Sequence, residues 1–143
     1  MDMYGVDMAE KEIAEFLSQR GHGVLSFGGE EPYGVPISFG YDLLNNRCIF
    51  QLVFTEGSEK RAAIESNERV TLTAYEWETV DDWRSVILRG SLRSIPNDTP
   101  EAVDAAEIFA EYATLVGLSV FEESTDQLEM EWYELSVESM SGR

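Results

Sequence analysis

Tyr33-Gly34-Val35-Pro36-Ile37-Ser38-Phe39-Gly40-Tyr41 is the stretch on which the reading of the fold turns. It reads as one extended strand with a proline inside it. Proline has no N–H to give a ladder, so this strand lies at an edge, at a bulge, or where something else approaches its backbone.

The neighbouring segments extend the pattern. Upstream, Gly23 to Phe27 is strand-like, and Gly28-Gly29-Glu30-Glu31 makes its turn. Before it, Met8 to Arg20 has helical spacing, with Ile13, Phe16, Leu17 and Arg20 on one face and Gly21 as the stop. His22 follows as a turn residue. Downstream, Asp42 to Asn46 has turn chemistry and Arg47 to Phe54 is the next strand. Such spacing suits an antiparallel meander. A short helix is expected over Ser58 to Ser66, with Ser58 as its N-cap. Arg69 to Trp77 alternates, Glu78 to Asp82 is an acidic turn, and Trp83 to Ile95 is a long strand that Gly90 bends or bulges. Thr99-Pro100-Glu101 starts a third helix, whose apolar face is traced by Val103, Ala106, Ala110, Ala113 and Gly117, with Phe109 and Val116 beside them. Leu128 to Val137 is the last strand.

Six strands and few helices predict a mainly β, α+β chain: one domain over residues 1–143, folded as a small antiparallel barrel, closed or partly open, with helices at its ends. A generic α+β sandwich has the same periodicity.

Composition narrows the function. Hydrophobic residues make up 43% of 143, enough for a packed interior. No apolar run reaches the roughly 18 residues of a membrane span. The first ten residues lack the basic and apolar regions of a signal peptide, so the expected location is cytoplasmic. With 28 acidic against 10 basic residues, the net charge is −18. Such a surface repels nucleic acid and anionic membrane. It suits a halophilic setting, because at ~1 M salt the Debye length falls to ~3 Å. Cys48 is the only cysteine and is expected to be a small core residue. Metal-ligand clusters of histidine and cysteine are absent from the sequence.

With one histidine, no Ser-His-Asp set or cysteine–histidine pair can be assembled. No phosphate-binding Walker loop or GxGxxG is present. Catalysis by this chain would therefore rely on a bound cofactor. The segment Thr55-Glu56-Gly57-Ser58-Glu59-Lys60-Arg61 brings a glycine, a hydroxyl and two cations to a helix start. Free N–H groups and the helix dipole favour a phosphate there, and the cations add charge-assisted hydrogen bonds. A capped surface helix whose cations pair with Glu56, Glu59 or Glu65 is the plainer reading.

Three stretches, in order, resemble the pyridoxamine 5′-phosphate oxidase-like family of FMN-binding split β-barrels. These are Tyr33 to Tyr41, Gly57-Ser58-Glu59-Lys60 through Ile64 followed by Asn67 to Val70, and Trp83 to Gly90; the tail Ser141-Gly142-Arg143 resembles that of the small members. The resemblance implies a six-stranded antiparallel split barrel that binds FMN as a homodimer. It implies that Lys60, with Ser58 and Arg61, holds the phosphate, and that Val35, Pro36, Ile37 and Ser38 run along the flavin through main-chain and serine contacts. Arg84, Ser85 and Val86 would close the site from the partner subunit. Trp83 or Trp132 would shield the ring, or serve as core or interface anchors. Two positions depart from the family pattern: Glu59 stands in place of a basic residue and Glu68 in place of a proline. The arginine-rich substrate motif of the true oxidases is missing, so vitamin B6 oxidation is not expected. The implied function is an FMN-dependent oxidoreductase acting on a small molecule. The alternatives are a non-catalytic flavin-binding or sensor module, and a deazaflavin (F420) reductase on the same fold.

Overall fold

The computed structural model describes residues 7–30, 32–54, 62–64, 69–113 and 129–143. The first helix, α1 (Glu10–Arg20), ends at Gly21, which takes the left-handed conformation at φ 68°. Seven strands follow: β1 (His22–Phe27), β2 (Tyr33–Ser38), β3 (Gly40–Asp42), β4 (Arg47–Phe54), β5 (Arg69–Thr79), β6 (Asp82–Ile95) and β7 (Glu129–Gly142). A second helix, α2 (Pro100–Tyr112), lies between β6 and β7.

The strands form one antiparallel sheet in the order β2-β1-β5-β6-β7-β4-β3. The expected six strands are thus seven, because the stretch from Tyr33 to Tyr41 is broken at Phe39. The break has a clear physical cause. β2 pairs with β1 at one edge of the sheet, while β3 pairs with β4 at the other. One residue joins the two edges, so the sheet must curl until they meet at that corner. Hydrogen bonds do not close it there: β2 and β3 are the ends of the ladder order, and the barrel stays open.

Alternation sets two faces. Leu25, Phe27, Ile37, Tyr41, Cys48, Phe50, Leu52, Val70, Leu72, Ala74, Val86, Leu88, Tyr133 and Leu135 point into the curl and make one buried cluster. Ile13, Phe16 and Leu17 of α1 join it, as their spacing predicts. The Cys48 side chain is fully buried, and that burial pushes its thiol pKa up.

The outer face carries α2. Thr99 caps this helix by accepting from the Ala102 N–H at 3.3 Å, and Pro100 occupies the first turn. Its buried face is Ala102, Ala105 and Phe109, against Ile49, Ile95 and Trp132. This corrects the expected face by about one residue: Val103 is 58% exposed. Trp132 meets the Phe109 ring edge-on at 5.4 Å and packs against it.

Beside α2 lies a chain of ion pairs. Arg47 bonds Asp42 at 2.9 Å and Glu134 at 2.7 Å; Arg93 bonds Glu134 at 2.8 Å and Glu101 at 3.1 Å. Asp42 and Glu134 are buried. Burial pushes each carboxyl upward. Hydrogen bonds from Asn45 and Arg47 to Asp42, and from Arg47 and Arg93 to Glu134, outweigh it and hold both below the usual carboxylate range.

Candidate functional site

Each sequence-predicted site residue takes a definite place, except Ser58, Lys60 and Arg61, which lie outside the described residues. Residues 62–64, just after them, are helical, in keeping with a short helix there.

β2 is an edge strand, as Pro36 requires. Its register against β1 pairs Val24 with Pro36 and Leu25 with Val35. The Phe39 N–H donates to the Gly21 carbonyl at 2.9 Å, which continues the same register. In an antiparallel ladder every second pair is hydrogen-bonded. Val35 and Ile37 therefore bond toward β1, while Gly34 and Pro36 turn their main-chain groups away from it. Both of these residues are exposed, and no described strand takes that edge. The side chains of Val35 and Ile37 pack on the inner core. Ser38 is buried, at 8% exposure.

Arg84, Ser85 and Val86 lie on β6, with β1 and β5 between them and β2. One chain does not bring these two groups together. The Arg84 guanidinium carbon lies 4.9 Å from the centre of the Phe16 ring, and its Nε donates to Glu76 at 2.7 Å. Ser85 and Arg143 exchange main-chain hydrogen bonds at 2.8 and 2.9 Å. The tail 141–143 is therefore the far end of a strand, which sequence periodicity stopped at Val137. Val86 is fully buried in the core. His22 begins β1, and burial followed by the Arg20 charge lowers its pKa.

Sequence reading passed over the outer face of β1, β5 and β6. Val24, Thr73 and Ile87 form one transverse row there, and Tyr75 and Ser85 another. Trp77 faces Trp83 across the hairpin. Tyr75 and Trp77 are 56% and 64% exposed. α2 packs elsewhere on the sheet, so no helix among the described residues covers this uncharged aromatic area. The alternation of β5 carried the signal: two aromatics stand on the side opposite Val70, Leu72 and Ala74.

Among the described residues no group of three or more histidine, cysteine, aspartate or glutamate side chains could hold a metal ion. No helix among them is long and apolar enough to cross a membrane. The free edge of β2 and the outer face of β1, β5 and β6 are described groups that are able to meet a cofactor.

An open, curled antiparallel sheet whose two edges meet at a one-residue joint defines a recognisable class of fold. The chain belongs to the pyridoxamine 5′-phosphate oxidase family, whose model matches residues 9–143. Among solved structures it is similar to the FAD-binding protein from Mycobacterium smegmatis, at 19% identity and a TM-score of 0.71, over 96% of this chain and 98% of that one. A FAD-binding protein from Mesorhizobium loti is similar at 18% identity and a TM-score of 0.70, over 96% and 95%. A heme-binding protein from Mycobacterium smegmatis also shares the fold, at 14% identity and a TM-score of 0.66, over 97% of this chain and 55% of that one. Identities of this order speak to the fold alone. No curated protein matches the chain.

Proposed function

We propose that this chain is a flavoprotein that holds FMN at the interface of a homodimer and serves the oxidation or reduction of a small molecule. The observation that carries the reading is the free edge of β2. There Gly34 and Pro36 turn main-chain acceptors, and Gly34 a donor, away from the sheet. An exposed strand edge presents a row of unpaired main-chain groups that another molecule can pair with. The polar rim of a flavin ring carries both a donor and acceptors, so it can satisfy such an edge. Val35 and Ile37, anchored in the core, hold the strand rigid for it.

Lys60, with Ser58 and Arg61, would grip the phosphate at the start of the short helix. Arg84 and Ser85 of the second copy would close the site, while Val86, buried in its own core, would fix the strand that carries them. Tyr75, Trp77 and Trp83 supply the kind of uncharged aromatic surface that protein interfaces favour. When bound, FMN accepts a hydride or electrons from a reductant and passes them to a small acceptor. The chain's part is to bind the ring, orient it and keep water from it. The family membership and the FAD-binding neighbours support the flavin; the lack of a self-sufficient catalytic set supports a cofactor-borne reaction. The net charge of −18 weighs against the polyglutamate tail of F420.

The test is a mass spectrum of the small molecule released on denaturing purified protein, with FMN titration of the stripped chain. The expected result is FMN, with Lys60→Ala weakening its affinity about tenfold or more. A colourless protein that takes up no flavin on titration overturns the proposal.

A further inference from the structure

We propose that the outer face beside Gly28 carries an anion-binding site that takes phosphate, free or as the phosphoryl group of a small ligand. The site does not depend on the flavin reading and is separate from Ser58, Lys60 and Arg61.

Strand register builds it. Ser26 pairs with Thr71, and Thr71 with Arg89, so these residues form one transverse row across β1, β5 and β6. Paired residues of an antiparallel ladder share a face, and neighbouring strands lie about 4.8 Å apart. Arg69, two residues from Thr71 on β5, shares that face. The result is a hollow of 320 Å³ lined by Ser26, Phe27, Gly28, Arg69, Val70, Thr71 and Arg89. Its size is at the lower end for small-ligand sites.

The charge of this hollow opposes that of the molecule. The chain has 28 acidic residues, yet among the described residues none lines it, while two arginines do. Arg47, Arg69, Arg84, Arg93 and Arg143 each reach a carboxylate. Arg89 has no ion pair among the described residues, and the hydroxyls of Ser26 and Thr71 have no hydrogen-bond partner among them. Glu138 meets Arg69 at 2.6 Å from outside the lining, so two guanidinium groups face one carboxylate. Guanidinium forks and hydroxyl donors converging on one hollow suit a phosphate better than a carboxylate, which has fewer oxygens to satisfy. The hollow lies four residues along β5 from Tyr75 and six from Trp77, roughly 13–20 Å at the rise of a strand.

The test is a titration of the full chain with inorganic phosphate, followed by amide NMR shifts at constant ionic strength. Saturable shifts at Ser26, Gly28, Thr71 and Arg89 are expected. Arg89→Ala and Arg89→Gln each weaken them about tenfold or more, and Arg89→Lys weakens them less. Lys60→Ala leaves them in place. A parallel titration with 5′-AMP separates the sources: tighter binding than phosphate assigns a phosphate ester, weaker binding the free ion. The proposal fails if these amides do not respond, if chloride moves them equally, or if Arg89→Gln folds and binds phosphate as the parent does.

Discussion

Glu134 shows how much of this molecule is decided by single side chains. It receives Arg47 and Arg93 from two different strands while buried beneath α2. Its pKa, and that of Asp42, is held low in the folded protein. A lowered carboxylate pKa stabilises the fold above the unfolded value and loses that contribution as pH falls through the folded one. Glu134→Gln should therefore cost about 3 kcal/mol near neutral pH, since it leaves Arg47 and Arg93 short of a charge. That cost should shrink as pH drops below the ordinary carboxylate range. Chemical unfolding of both proteins across pH checks this, and a difference that stays constant with pH would refute the linkage. None of these pairings was legible beforehand. The partners stand at positions 42, 47, 93, 101 and 134, and in a chain so rich in acid no single carboxylate announces itself. Cys48 and Thr99, whose roles depend on local chemistry, were readable from the sequence.

At the scale of the element, local signals held and turning points did not. The end of α1 at Gly21, the cap at Thr99 and all of β4 follow from short-range chemistry. Phe39 was invisible, because nothing in the run from Tyr33 to Tyr41 marks the residue at which the chain changes partners. The face of α2 was misplaced since alanines surround it, leaving Phe109 and its contacts on Ile49 and Ile95 to choose the side. Gly90 was legible as a bend, and the structure gives its reason. The ladder between β6 and β7 shifts register at Arg89/Gly90, where the Ser136 carbonyl oxygen comes within 1.9 Å of the point a Cβ would occupy. Gly90→Ala must move backbone and should destabilise the fold by about 3 kcal/mol or more. Gly28→Ala meets nothing within 4 Å and should change stability by less than about 0.5 kcal/mol. Paired denaturation curves decide between them, and equal losses would show that the close approach at Gly90 does not matter.

At the scale of the whole molecule, the residues proposed to touch one cofactor lie on strands separated by β1 and β5. Composition and periodicity cannot supply a strand order, so the sequence indicated these site residues only through family resemblance. A second copy is the natural way to bring the two groups together. Two copies of a chain at −18 repel each other, so association should strengthen with salt as the repulsion is screened. Sedimentation of the parent should show the dimer fraction rising from low to high salt. Trp77→Glu, which places charge on the exposed aromatic patch, should remain monomeric throughout. A parent that stays monomeric at every salt concentration would remove the shared-site proposal.

The strand written last, β7, sits between β6 and β4 in the middle of the sheet. It pairs Ser136 with Arg47, across nearly ninety positions of chain. During synthesis β4 and β6 are therefore made before the strand that pairs with both of them. Until that strand arrives, both edges are open to the wrong partner, so assembly is expected to be slow and the nascent chain dependent on protection from its neighbours.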